Sequence, residues 1–131
     1  MKKVLIILGC IVAGFAILIV VAFAQMTEKV DVVVADMEAI GTIDMDQVKD
    51  GTYSSAQDAG LVKVTVEVTV KDHTIEDIKL LRHQNGKGAP AEAMLDVMLE
   101  KNTPEVDTVS GATLSSLTIK AAVMDALNQG I

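Results

Sequence analysis

The chain opens on a long apolar stretch and then changes character. From Val4 to Ala24 there are 21 consecutive residues without a charge, and within residues 1–24 only Lys2, Lys3, Gly9 and Gly14 are not apolar. As a helix rising ~1.5 Å per residue, the stretch spans about 30 Å, the thickness of a bilayer's hydrocarbon core. It predicts a transmembrane helix. Beyond it, Val30, Val33, Val34, Met37 and Ile40 recur at helical spacing among Glu28, Asp31, Asp36 and Glu38, which predicts an amphipathic stem helix ended by Gly41. Asp50-Gly51 is turn chemistry leading into a strand at Thr52-Tyr53. From Leu61 to Lys71, Val62, Val64, Val66, Val68 and Val70 alternate with polar residues, the pattern of a strand with one face in the core. Asp72-His73 makes a tight turn in which His73 takes unusual backbone angles. Thr74 to His83 then returns as the second strand of an antiparallel hairpin, carrying Ile75, Ile78, Leu80 and Leu81. Gln84 to Ala89 reads as a flexible loop. Pro90 suits the first turn of a helix with Ala91, Met94, Leu95 and Met98 as its apolar stripe. A further helix starts near Thr113, with Leu114, Leu117, Ala121 and Met124 on one face and Gly130 as its C-terminal cap. Hairpin strands followed by grouped helices predict an α+β fold: an N-terminal transmembrane helix, then a small domain with an antiparallel sheet and two or three packed helices. The expected division is an anchor over residues 1–25, a stem helix and linker over 26–45, and the domain over 46–131.

Charge divides along the same line. All 18 acidic residues follow residue 24, against nine of the 11 Lys and Arg, so that part is nine charges negative. Nucleic-acid binding, which needs concentrated Lys and Arg to replace phosphate counterions, is disfavoured. Lys2 and Lys3 before the apolar run and the acidic flank after it place the N-terminus in the cytoplasm and the domain outside. Ala22-Phe23-Ala24 also fits a signal-peptide cleavage pattern, and cleavage after Ala24 stays open as an alternative to retention. Cys10, the single cysteine, lies inside the apolar run, which excludes a disulfide framework. With two histidines in the chain, no Ser-His-Asp or Cys-His catalytic constellation and no metal site are expected. The aromatic residues are Phe15, Phe23 and Tyr53, which leaves Tyr53 alone outside the anchor.

The chemistry concentrates in Asp107-Thr108-Val109-Ser110-Gly111-Ala112-Thr113-Leu114-Ser115-Ser116, a small-residue loop opening directly into a helix. A helix N-terminus directs N–H groups and the positive end of its dipole outward, and such a site binds phosphate. Gly111 and Ala112 leave room for close approach, while Ser110, Thr113, Ser115 and Ser116 offer hydroxyls. The competing reading is that Ser110 or Thr113 merely caps the helix.

Asp107-x-x-Ser110-Gly111-Ala112-Thr113 resembles the flavinylation motif of the FMN-binding domain family, which includes flavin-carrying subunits of Rnf-type complexes and of the sodium-pumping NADH:quinone reductase. Asp50-Gly51-Thr52-Tyr53, the Val62–Val70 strand, the Lys71-Asp72 turn and His83 follow the order of such domains, from about residue 46 to 129. The resemblance implies FMN joined by a phosphoester bond to Thr113, made by a magnesium-dependent flavin transferase that uses FAD as donor. It makes Ser110, Gly111 and Ala112 cofactor-binding, gives Asp107 a part in the signal read by the transferase, and makes His83 a candidate flavin contact. A covalent tether also suits a domain whose one aromatic is Tyr53, because the ring need not be held by stacking; Met94, Leu95, Met98 and Leu117 are alternative aliphatic surfaces for it. The expected function is that of a membrane-anchored, extracytoplasmic electron-transfer flavoprotein domain with redox partners on other proteins, some of them in the membrane. A noncatalytic membrane-tethered interaction module and a reductase binding FMN reversibly are the alternatives.

Overall fold

Alternating valines build the sheet, and everything else in the domain packs on the face they form. The computed structural model describes residues 1–60, 62–84 and 89–131. The expected strand start at Leu61, and residues 85–88 of the expected loop Gln84–Ala89, lie outside the described residues. Three antiparallel strands, β1 (Gly51–Asp58), β2 (Lys63–Lys71) and β3 (Thr74–Gln84), pair in the order β1-β2-β3. Val64, Val66, Val68 and Val70 of β2 are at most 2% exposed, and the intervening polar side chains stay half-exposed on the outer face. The β2–β3 turn is the expected tight one: Asp72 and His73 have φ of 51° and 60°, the positive angles that a two-residue hairpin turn requires. Asp72 N–H donates to Asp50 Oδ1 at 2.9 Å, and Asn102, itself left-handed at φ 54°, accepts from Ile75 N–H at 2.7 Å and donates to the His73 carbonyl at 3.0 Å. The hairpin tip is thereby tied to the segments on either side of the sheet.

β3 does not alternate regularly. Its register against β2 shifts between Thr65 and Val66 and again between Thr69 and Val70, so Glu76 and Leu81 are extra residues without a direct partner. Each bulge reverses the face of every residue beyond it. Ile75, Ile78 and Leu80 therefore face the core, Leu81 is 57% exposed, and His83 returns to the inner face opposite Val64.

The helices are α1 (Lys2–Ile40), α2 (Met94–Lys101), entered through a 3-10 turn over Ala89–Ala93, and α3 (Thr113–Asn128). α2 buries Met94, Leu95 and Met98 of the predicted stripe, while its fourth member, Ala91, is buried in the 3-10 turn, where Pro90 also lies instead of in the helix. α3 buries a wider and partly different set from the predicted stripe: Ser115, Ser116, Thr118, Ile119, Ala121, Ala122, Val123, Met124, Ala126 and Leu127 are inside, whereas Leu114 and Leu117 are only half-buried. The reason is that α3 lies between two neighbours, the valine face of the sheet and α1, whereas a one-faced pattern describes a helix with a single neighbour. Small residues make the second contact close, with Val33 of α1 packed against Ala59 and Ala121 and flanked by Val30, Met37 and Leu114.

Anchor and stem are one unbroken helix of 39 residues, ended at Gly41 (φ 68°), whose N–H bonds the Met37 carbonyl at 3.0 Å. Its first part is long and apolar enough to cross a membrane, and large side chains from Val4 to Phe23 are exposed all round it. Lys29 Nζ reaches Asp58 Oδ2 at 3.5 Å and links the stem to the end of β1. The Asp58 carboxylate also accepts the Gly60 N–H at 2.8 Å. That bond first, then the charges of Lys29 and Lys63, outweigh slight burial and lower its pKa below the usual carboxylate value.

Gly130 does not serve as a left-handed cap; its place is set by space. A Cβ there would lie 2.7 Å from the Tyr53 ring, which is fixed by its hydroxyl donating to the Lys49 carbonyl at 2.7 Å. Gly130→Ala should therefore destabilise the domain by about 1–3 kcal/mol in denaturant unfolding. Because folding lowers the Asp58 pKa, chiefly through the Gly60 N–H bond and then through the Lys29 and Lys63 charges, the stabilisation at Asp58 is fully present above about pH 4 and weakens as pH falls below that value. The melting temperatures of wild type and Asp58→Asn should accordingly converge on acidification from about pH 5 to about pH 3.

Candidate functional site

The loop from Asp107 to Ala112 is shaped by one buried side chain. Ser116 is 0% exposed; its hydroxyl donates to the Ala112 carbonyl at 2.7 Å and accepts the Val109 N–H at 2.9 Å. Ala112 N–H bonds the Val109 carbonyl at 3.0 Å, closing a turn over Val109-Ser110-Gly111-Ala112 in which Gly111 takes φ 81°. A side chain at that angle is strained, and glycine avoids the cost. Inside this turn Ala112 is buried, while Ser110, Gly111 and Thr113 are exposed, as are Asp107 and Thr108 just before it. Nothing lies within 4 Å of where a Gly111 Cβ would stand.

The structure bears on the capping reading of these hydroxyls. Ala112 occupies the N-cap position of α3, and no side chain caps the helix. Neither Ser110 nor Thr113 is a cap. The helix thus begins with outward N–H groups, the positive dipole end, an open glycine and an exposed threonine hydroxyl together, the arrangement suited to a phosphate. The four expected hydroxyls divide evenly: Ser110 and Thr113 face out, Ser115 and Ser116 face in.

His83 is the least expected part. Its side chain is 3% exposed, with Nδ1 2.9 Å from Glu92 Oε1 and Nε2 3.1 Å from Ser115 Oγ. A carboxylate only accepts, so Nδ1 carries a proton; in the neutral ring Nε2 then accepts from the Ser115 hydroxyl. Glu92, His83 and Ser115 thus form a hydrogen-bonded carboxylate–histidine–serine set that no local spacing in the sequence marks. It is closed to substrate, since Ser115 is 1% exposed. Glu92 was not singled out from the sequence, where it stands as one acidic residue among many.

The apolar side chains considered as flavin surfaces lie in the core: Met94 is 2%, Met98 0% and Leu95 9% exposed, with Leu117 half-buried. Tyr53 packs beside Gly51 and Gly130, past the C-terminal end of α3. With 16 residues in α3, that is about 24 Å of helix away from Thr113.

The sequence model of one family, described as FMN-binding domain, matches residues 60–128, more than half of the chain. The chain belongs to the FMN-binding domain family. No curated protein matches it significantly. The matched stretch runs from the turn before β2 to the last residue of α3, so it contains the uncapped helix start and the Glu92–His83–Ser115 set, and leaves β1 and α1 outside. Within the matched stretch, the open Gly111 and the first N–H groups of α3, which no side chain caps, are of a kind that suits the phosphate end of the cofactor.

Ser116→Ala should cost about 1–3 kcal/mol, because it removes both bonds that close the loop and leaves the Val109 N–H without its partner. Ser110→Ala, at an exposed position, should stay within about 0.5 kcal/mol. Denaturant unfolding of the two variants measures the difference.

Proposed function

We propose that this FMN-binding domain is a membrane-anchored, extracytoplasmic electron carrier whose FMN is held by a phosphoester bond to Thr113. The observation that carries the reading is the exposed Thr113 hydroxyl at the first position of a helix that no side chain caps, directly after the open Gly111. Thr113 Oγ bonds to the FMN-side phosphorus of FAD, the pyrophosphate P–O bond breaks, the hydroxyl proton is released and AMP departs. Gly111 and Ala112 allow the phosphate close approach, and Ser110 and the helix N–H groups hydrogen-bond its oxygens. Exposed Asp107 is part of the surface that the flavin transferase reads, and His83 contributes from beneath the helix through Ser115.

FMN, once bound, supplies one- and two-electron transfer; the protein supplies tethering and orientation. The remoteness of Tyr53 supports a covalent rather than a stacked attachment. For the membrane part, Lys2 and Lys3 support a cytoplasmic N-terminus with the domain outside, residues 1–25 serving as anchor, 26–45 as stem and linker, and 46–131 as the flavin domain. Electrons come from and pass to other proteins, some of them in the membrane.

Co-expression with a flavin transferase, followed by intact-mass spectrometry, tests the reading. Wild type should gain the mass of FMN less water and Thr113→Ala should not. No adduct, or one that survives Thr113→Ala, contradicts it. FMN that co-purifies but leaves on denaturation indicates reversible binding at the same helix start instead.

A further inference from the structure

Ser115 lies two residues after Thr113, in the same first turn of α3. Its hydroxyl is 1% exposed and meets His83 Nε2 at 3.1 Å, and His83 Nδ1 meets Glu92 Oε1 at 2.9 Å. These three residues come from three separate elements: the end of β3, the 3-10 turn before α2, and α3. The set is not a hydrolytic centre, because its serine has no access to substrate. It is also more than packing, since a buried histidine and a buried hydroxyl each lose free energy unless partnered in a fixed geometry.

On the reading that Thr113 is the flavin acceptor, we propose that Glu92, His83 and Ser115 are positioning residues for flavinylation: they hold the first turn of α3 so that Thr113 Oγ is presented to the transferase in one orientation. Ser116 fixes the loop that enters the turn, through Val109 and Ala112. His83 fixes the rotation of the turn itself. Glu92 acts on His83: by accepting from Nδ1–H it orients the ring and sets the tautomer in which Nε2 accepts from Ser115. A helix start bonded from inside on two consecutive residues cannot rotate to bury Thr113 without breaking both sets of bonds. Glu92, with 46% of its side chain exposed, completes the set at the surface.

Initial-rate kinetics of a flavin transferase, with FAD as donor and the full-length chain in detergent as acceptor, test this. A misoriented nucleophile slows transfer without weakening association, and a displacement of ~1 Å costs up to ~100-fold. His83→Gln and Ser115→Ala should each lower kcat by about tenfold or more with KM for the acceptor within about twofold. Glu92→Ala should lower kcat several-fold, and Glu92→Gln, whose amide oxygen still accepts from Nδ1–H, should restore it to within about twofold of wild type. Hydrogen exchange should speed up at the amides of residues 113–116 in the slow variants. Circular dichroism melts identify any buried-site variant that fails to fold; in that case Glu92→Ala decides, because it removes an exposed carboxylate. Wild-type kcat in every folded variant, with the wild type itself flavinylated at Thr113, overturns the positioning role and leaves the Thr113 reading intact. Failure of the wild type to be flavinylated overturns both.

Discussion

The first turn of α3 faces two ways, and the rest of the site follows from that. Ser115 and Ser116 point into the domain, where a hydroxyl without a partner costs about 1–3 kcal/mol. Each therefore draws a different part of the chain toward it. Ser116 receives the Val109 N–H and closes the loop; Ser115 meets His83. With two neighbouring side chains pinned inward, Thr113 is left on the outside of the same turn, and Gly111 on the outside of the loop turn just before it. Their exposure is a consequence of what is buried behind them.

His83 reaches Ser115 only because β3 is irregular. In a regular strand it would share a face with Leu81; the bulge at Leu81 returns it to the side of the sheet on which α3 lies. One of the two bulges can be read in the sequence, because Ile75 and Ile78 are three apart where regular alternation requires two or four. The second leaves no such mark, since Leu80-Leu81 reads as continued apolar strand. The fold class, the hairpin and its turn, both domain helices and the loop before Thr113 are legible because each rests on local spacing or local turn chemistry. The Glu92–His83–Ser115 set rests on contacts spanning nine and 32 positions along the chain, and no local pattern encodes it. The same holds for Gly130, whose reason is the Tyr53 ring 77 positions earlier. The motif marks the loop proposed to carry the chemistry, and the bulge at Leu81 brings His83 beneath it.

The continuity of α1 bears on how the site would work. One helix, packed through Val30, Val33 and Met37 against Ala59, Leu114 and Ala121, joins the apolar segment to the domain without a break. Leu114 is the neighbour of Thr113, so the helix that begins in the apolar segment also touches the turn proposed to carry the flavin. In that reading, α1 joins the anchor directly to the turn that would carry the flavin. The family match begins at residue 60 and so does not include this helix.

The scarcity of aromatic residues acquires a physical meaning once the geometry is known. Tyr53 is spent on the opposite end of α3, hydrogen-bonded to Lys49 and packed on Gly130, and Phe15 and Phe23 lie in the apolar segment of α1. A flavin at Thr113 would therefore depend on its phosphate end for retention, which a covalent bond provides. The most direct measurement is flavin fluorescence of the protein, purified after co-expression with a flavin transferase and run on a denaturing gel. The account predicts a fluorescent band at the mass of the 13.9 kDa chain. A dark band, with all the flavin running free at the front, would contradict it.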